Sequence, residues 1–167
     1  GALYPRTSFM SMIQATGGLF YITLPMILLA VMRQNDFIFP IALIAMIWIN
    51  DTMAYIVGSF IGKTPFSPIS PKKTWEGTAG GAILTVIAAV VYGMLSHKWR
   101  VIDWVALSVL TSVAGTLGDL LESKLKRIAG VIDSGNLMPG HGGALDRFDS
   151  LIVAAPVVFV YVTWFMS

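Results

Sequence analysis

Cysteine is absent from the 167-residue chain, which excludes disulfides, thiol nucleophiles and Cys-ligated zinc. The two histidines form no cluster for zinc either. Charge is scarce: Asp, Glu, Lys and Arg make up 12% of the residues, where a soluble domain carries roughly 25%. A net charge of +2 is too small to suggest a nucleic-acid partner. Neither a Walker A run nor a Rossmann glycine fingerprint occurs. No Ser-His-Asp arrangement stands out, and there is no internal repeat or low-complexity tract. The opening residues, Gly1 to Arg6, lack the basic segment, apolar core and cleavage site of a signal peptide, and none is expected. What the chain has in quantity is apolar surface. Hydrophobic residues are 56% of it, which points to a membrane protein before any motif is read.

A membrane helix needs about 20 mostly apolar residues. Five runs qualify: between Arg6 and Arg33, from Phe37 to about Gly62, from about Gly77 to Ser96, from about Val101 to Leu121, and from about Ser150 to Met166. Their length and Leu/Ile/Ala/Met content predict helices, since barrel strands are shorter and alternate. Pro25 and Pro40 fall inside spans, which helix bundles tolerate. The expected fold is an all-α polytopic bundle, a single transmembrane catalytic domain over residues 1–167, with a polar cavity open to one side. Five spans put the termini on opposite sides. The side of the N-terminus, here the A side, then receives eight of the 11 Lys and Arg, and the B side receives Arg33, Lys98 and Arg100. The positive-inside rule makes the A side cytoplasmic. Both long polar loops, about 62–76 and 122–149, open there. The expected location is the cell inner (plasma) membrane, with the site facing the cytoplasm.

Two acids interrupt the apolar runs, Asp51 in the second and Asp119 in the fourth. A carboxylate in hydrocarbon costs several kcal/mol, so such residues face a cavity or a partner. At 1.5 Å per residue both lie ~12–17 Å below the A side, and both could line one polar cavity. The bland alternative is a pairing with Lys or Arg, or a cap on a broken helix. Asp119, Glu122, Ser123 and Lys126 fall at i, i+3, i+4 and i+7, one helical face. That face is either an ion-pair ladder or a holder of a cation and a phosphate.

The first loop carries Pro65, Pro68 and Pro71, which make it stiff. Ser70, Lys72, Lys73 and Thr74 place hydroxyls and ammoniums together just before the third span. These groups suit a phosphate chain and equally suit anionic headgroups. The second loop runs from Ser123-Lys-Leu-Lys-Arg127 through Asp133-Ser-Gly-Asn136 and Pro139-Gly-His-Gly-Gly143 to Asp146-Arg-Phe-Asp149. Its glycines allow a close backbone approach to a ligand. Asp146 and Asp149, at i and i+3, share a face if helical and either hold one cation or cap the fifth span. Hard oxygen ligands select Mg²⁺, which often completes its shell with substrate phosphates. His141 is a base, a donor or a structural loop residue. Embedded acids, mouth-facing lysines and a glycine-rich acidic loop together fit phosphoryl or nucleotidyl transfer involving a lipid.

The run S-x-x-K-R, D-S-G-N and P-G-H-G-G-x-x-D-R-x-D over residues 123–149 closely resembles the signature of CDP-diacylglycerol synthases, also called phosphatidate cytidylyltransferases. Residues 51–77 are similar too, with D-x-x-A-Y, G-K and I-S-P-K-K-T-W-E-G. The resemblance covers most of the chain from the second span onward and matches the C-terminal part of family members, which have additional N-terminal spans. It implies that phosphatidic acid and CTP give CDP-diacylglycerol and pyrophosphate by in-line attack on the α-phosphorus, without a covalent enzyme intermediate. It implies a Mg²⁺ centre, with K⁺ as a companion, on Asp119 and Asp146 with Asp149 nearby. Lys72, Lys73, Lys126 and Arg127 would bind phosphates, and residues 139–143 would close over the nucleotide. The catalytic candidates are therefore Asp119, Asp146, Asp149, Lys126 and Arg127. The substrate-binding candidates are Ser70, Lys72, Lys73, Ser123, Asp133, Asn136, His141, Gly142, Gly143 and Arg147. A homodimer is expected. One departure matters: the family usually has Lys just before the position of Asp133, and here Ile132 stands there. Alternatives are a CTP-dependent transferase or kinase acting on another membrane lipid, an ion-coupled transporter using Asp51 and Asp119, and an inactive lipid-binding subunit.

Overall fold

The computed structural model describes residues 9–130 and 145–166. Helix α1 spans Phe9–Asn35 and α2 spans Ile38–Ile61. A short antiparallel hairpin follows, β1 (Pro65–Ser67) and β2 (Ser70–Thr74). Helices α3 (Trp75–Ser96), α4 (Val101–Ile128) and α5 (Leu145–Phe165) complete the order. All five helices are long and apolar enough to cross a membrane, so the expected all-α polytopic bundle is what forms. Pro40 sits in the first turn of α2, where its missing N–H has no intrahelical partner to lose.

Three boundaries differ from the hydropathy reading. Helix α4 does not stop near Leu121 but runs to Ile128. Its polar last turns are supported within the helix, with Lys126 Nζ 3.4 Å from Glu122 Oε1 and Lys126 and Arg127 placed to complement the helix dipole. Helix α5 starts at Leu145, ahead of the apolar run, so residues 146 and 149 both fall within the helix. The proline-rich stretch after α2 is a hairpin, which apolar alternation does not signal because its strands are mostly polar.

Helix α2 packs on α3, α3 on α4, and α4 on α5, while α1 lies against α5 and the edge of α2. The dry core occupies the B-side half. Trp104, with no exposed surface, packs with Phe39, Leu43, Met32 and Val162, and the Tyr92 ring meets Trp104 edge-on at 4.7 Å. Polar links close this end. Asp36, in the α1–α2 turn, pairs with Lys98 in the α3–α4 turn. The hydrogen bond from Lys98 holds the Asp36 carboxyl below its usual range. Arg100 forks onto the buried Asp103 with two 3.0 Å bonds, and the Tyr161 hydroxyl donates to the same carboxylate at 3.1 Å. Many large side chains point outward, Trp48, Tyr55, Phe60, Leu95 and Trp164 among them. That is the expected surface of a helix bundle solvated by lipid, where outward apolar groups are at no disadvantage.

Candidate active site

At the A-side half the packing opens into a cavity of about 960 Å³. Five elements supply its polar wall. Helix α2 contributes Asn50, Asp51 and Ser59, β2 contributes Ser70, Lys72, Lys73 and Thr74, α3 contributes Thr78, α4 contributes Thr116 and Asp119, and α5 contributes Asp149 and Ser150. The rest of the wall is apolar and comes mainly from α2, through Ile44, Ile47, Trp48, Ala54 and Tyr55.

Helices α4 and α5 come together here because position 118 has no side chain. A Cβ on Gly118 would lie 2.6 Å from the Asp149 carbonyl oxygen and 3.1 Å from Val153 Cβ. That close approach carries Asp119, the next residue, and Asp149 to the same cavity. Lys73 reaches across from the hairpin and forms an ion pair with Asp119 Oδ2. Ser123 Oγ donates to Asp119 Oδ1 at 3.3 Å, one helical turn away. Asp51 receives a 3.3 Å bond from Asn50 Nδ2. Three carboxylates and two ammoniums thus line one space. Acids gathered in a partly desolvated cavity repel one another and favour a bound cation, and the ammoniums favour anionic oxygens.

Asp119 and Asp149 are the described residues that could take part in holding a hard divalent ion. Among the described residues no three acids converge closely enough to cage a metal alone. Mg²⁺ commonly binds through one or two carboxylates and completes its shell with water and phosphate oxygens, which Asp119 and Asp149 suit.

The structure therefore brings together Ser70, Lys72, Lys73, Asp119 and Asp149 of the expected site, and joins Asp51 to them in one cavity. Ser123 stands behind Asp119 and does not line the cavity. Lys126 is engaged with the buried Glu122, and Arg127 is exposed on the last turn of α4, so neither lines the cavity. The side chains of Asp146 and Arg147 lie outside the described part of α5, and Asp133, Asn136, His141, Gly142 and Gly143 lie outside the described residues altogether, as does Ile132. Several lining residues escaped the sequence reading, Ser59, Thr78, Thr116 and Ser150. Thr116 sits three residues before Asp119, a spacing that would have shown it.

Five membrane-length helices around a polar cavity define a polytopic membrane protein with an intramembrane polar site. The chain is a member of the Cytidylyltransferase family, whose sequence profile matches residues 3–165. It is 46% identical over 121 residues to the phosphatidate cytidylyltransferase of Synechocystis sp., an overlap of 71% of this chain and 41% of that protein. The phosphatidate cytidylyltransferase of Bacillus subtilis is 44% identical over 123 residues, covering 71% of this chain and 45% of the relative. That of Staphylococcus saprophyticus is 38% identical over 156 residues, covering 92% and 60%. The chain thus spans about half the length of the curated relatives it matches.

Proposed function

We propose that the protein transfers the cytidylyl group of CTP to phosphatidic acid, forming CDP-diacylglycerol and releasing pyrophosphate. The observation that carries this reading is the single cavity in which Lys72 and Lys73 of the hairpin face Asp119 and Asp149 of two different helices, beside an apolar wall from α2. Phosphate-binding ammoniums, cation-binding acids and a surface compatible with acyl chains meet in one place. The names of the relatives agree with this chemistry. In the reaction an oxygen of the lipid phosphate attacks the α-phosphorus of CTP, the new P–O bond forms, and the bond to the β,γ-diphosphate breaks. The lipid phosphate is already anionic near neutral pH, so no general base is required. Lys72 and Lys73 orient and neutralise the phosphates as they approach one another. Mg²⁺ held by Asp119, Asp146 and Asp149, with K⁺ as a companion, would offset the charge that accumulates on the phosphoryl oxygens. We place the protein in the inner membrane as a homodimer, with the cavity facing the cytoplasm where CTP is found.

The test is CTP turnover by the purified protein in detergent with phosphatidic acid and Mg²⁺, following pyrophosphate and the lipid product. Expected are both products in equal amounts, with turnover lowered about 10²–10³-fold in Asp119→Asn, the scale of losing a transition-state charge partner. An Ile132→Lys variant is assayed beside them, and activity gained only there means that residue 132 limits the chemistry. Absence of products in the parent and in Ile132→Lys, with both proteins folded, overturns the proposal. Because detergent removes any ion gradient, turnover there also separates an enzyme from an ion-coupled transporter.

A further inference from the structure

The hairpin that delivers Lys72 and Lys73 is a weak structure by its own resources. Its strands are three and five residues long, and an isolated two-stranded hairpin is marginal in water. Pro65 and Pro71 remove two ladder donors. Pairing is confined to Pro65 with Thr74 and Ser67 with Ser70, with an irregular register between. Yet Lys73 must reach a defined partner on α4, so something outside the ladder sets the hairpin's position.

Glu76 supplies that constraint. It lies in the first turn of α3, and its carboxylate turns back over the base of the hairpin. Oε2 accepts from the backbone N–H groups of Lys63 and Thr64, both at 3.2 Å, and Oε1 accepts from the Thr64 hydroxyl at 2.8 Å. The Trp75 N–H donates to the Thr64 carbonyl at 3.0 Å, and Trp75 stacks at a tilt on Phe66 with ring centres 4.4 Å apart. The helix cap is a separate task, done by Thr74, whose hydroxyl accepts from the Gly77 N–H at 3.1 Å. A reciprocal capping box would place an acid at position 77, but Gly is there. A Cβ at 77 would come within 2.6 Å of the Ala54 carbonyl oxygen, so α3 meets α2 there too closely for any side chain. Glu76 stands one residue earlier, is not part of the cavity wall, and makes three acceptor contacts at the base of the hairpin. Charge-assisted bonds to a carboxylate are about twice as strong as neutral ones.

We propose that Glu76 is a positioning residue: by clamping residues 63 and 64 to the start of α3 it sets where β2 presents Lys72 and Lys73 to the cavity. The consequence for substrate rests on the reading of these lysines as phosphate ligands; the clamp itself does not. Two readouts on the full chain in detergent test it. The first is labelling of Lys73 by a water-soluble amine reagent, relative to the exposed Lys63, quantified by mass spectrometry without nucleotide. In the parent the ion pair with Asp119 slows Lys73. In Glu76→Gln, which cannot accept all three donors, and more mildly in Thr64→Val, Lys73 should label at least about threefold faster, approaching its rate in Asp119→Asn. The second is CTP affinity with Mg²⁺. Glu76→Gln should weaken it about five- to tenfold, KM for CTP should rise more than kcat falls, and the same substitution should cost less than about twofold in a Lys72→Met/Lys73→Met background, because residues acting through one another are not additive. The unfolding midpoint should stay within a few degrees of the parent. Unchanged Lys73 labelling, or an equal loss of CTP affinity in both backgrounds, overturns the proposal. A parent that binds no CTP sinks the functional reading, while the labelling ratio still decides the clamp.

Discussion

The two ends of this bundle solve opposite problems with the same helices. At the B side α1, α2, α4 and α5 pack around Trp104, Phe39, Met32 and Val162, and two ion pairs tie that end together, Asp36 with Lys98 and Asp103 with Arg100, with Tyr161 donating to Asp103 as well. At the A side α2, α4 and α5, with β2, surround a polar space in which acids outnumber the ammoniums beside them. A packed end tied by ion pairs holds the structure together. An open end with charge left to be matched makes it receptive. The contrast teaches that the ionisable groups of this membrane protein divide by depth and end into those that hold helices together and those available to a ligand.

The sharpest way to break that division is Trp104→Ala. Removing a fully buried aromatic costs about 3–5 kcal/mol in soluble cores, with the lower figure expected where the alternative solvent is lipid. The unfolding midpoint in detergent should fall accordingly, while kcat per folded molecule stays within about threefold of the parent, since charge chemistry at the other end is untouched. A kcat that collapses with Trp104 would show that the two ends are mechanically one. The converse substitution, Lys73→Met, should leave the unfolding midpoint nearly unchanged, because a partly exposed ion pair contributes little to stability, and should lower turnover about 10- to 100-fold, the scale of losing a charged hydrogen-bonding group. A large stability loss with unchanged turnover would move Lys73 from the receptive class to the structural one.

The smallest expected effect sharpens the comparison at the B side. Asp36 has a lowered pKa in the fold because Lys98 hydrogen-bonds its ionised form. Its contribution is therefore present above the ordinary carboxylate value of about 4 and is lost as pH falls through the lower folded value. Asp36→Asn should be slightly less stable than the parent at pH 7, and the difference should shrink with added salt and vanish in strong acid. A difference that grows on acidification would contradict the pairing.

Much of the molecule was legible beforehand. Long apolar runs announced all five helices, and counting residues from the loops put Asp51 and Asp119 at one depth, and the two do share a cavity. The helical face through Asp119, Glu122, Ser123 and Lys126 was also visible, but not its division of labour. Glu122 and Lys126 pair with each other, whereas Asp119 turns to Lys73. The ends of α4 and α5 were misplaced because hydropathy reports where apolar side chains stop, and a helix continues as long as its polar groups find partners. The hairpin carries no apolar alternation along its strands, and the Glu76 contacts that hold it, to Lys63 and Thr64, span 13 and 12 residues of chain.

By itself, then, the sequence determined that the chain crosses a membrane as helices, that its polar loops gather on one side, and which acids, lysines and glycines are available for chemistry, since all of these follow from composition, length and spacing along the chain. Only the tertiary structure decided which of those groups meet. Lys73 reaches Asp119 because a clamped hairpin leans over α4, and Asp149 joins them because Gly118 lets two helices approach to backbone contact. Such encounters depend on the distance between helix axes and on the aim of short strands, which no pattern read along one strand or helix contains.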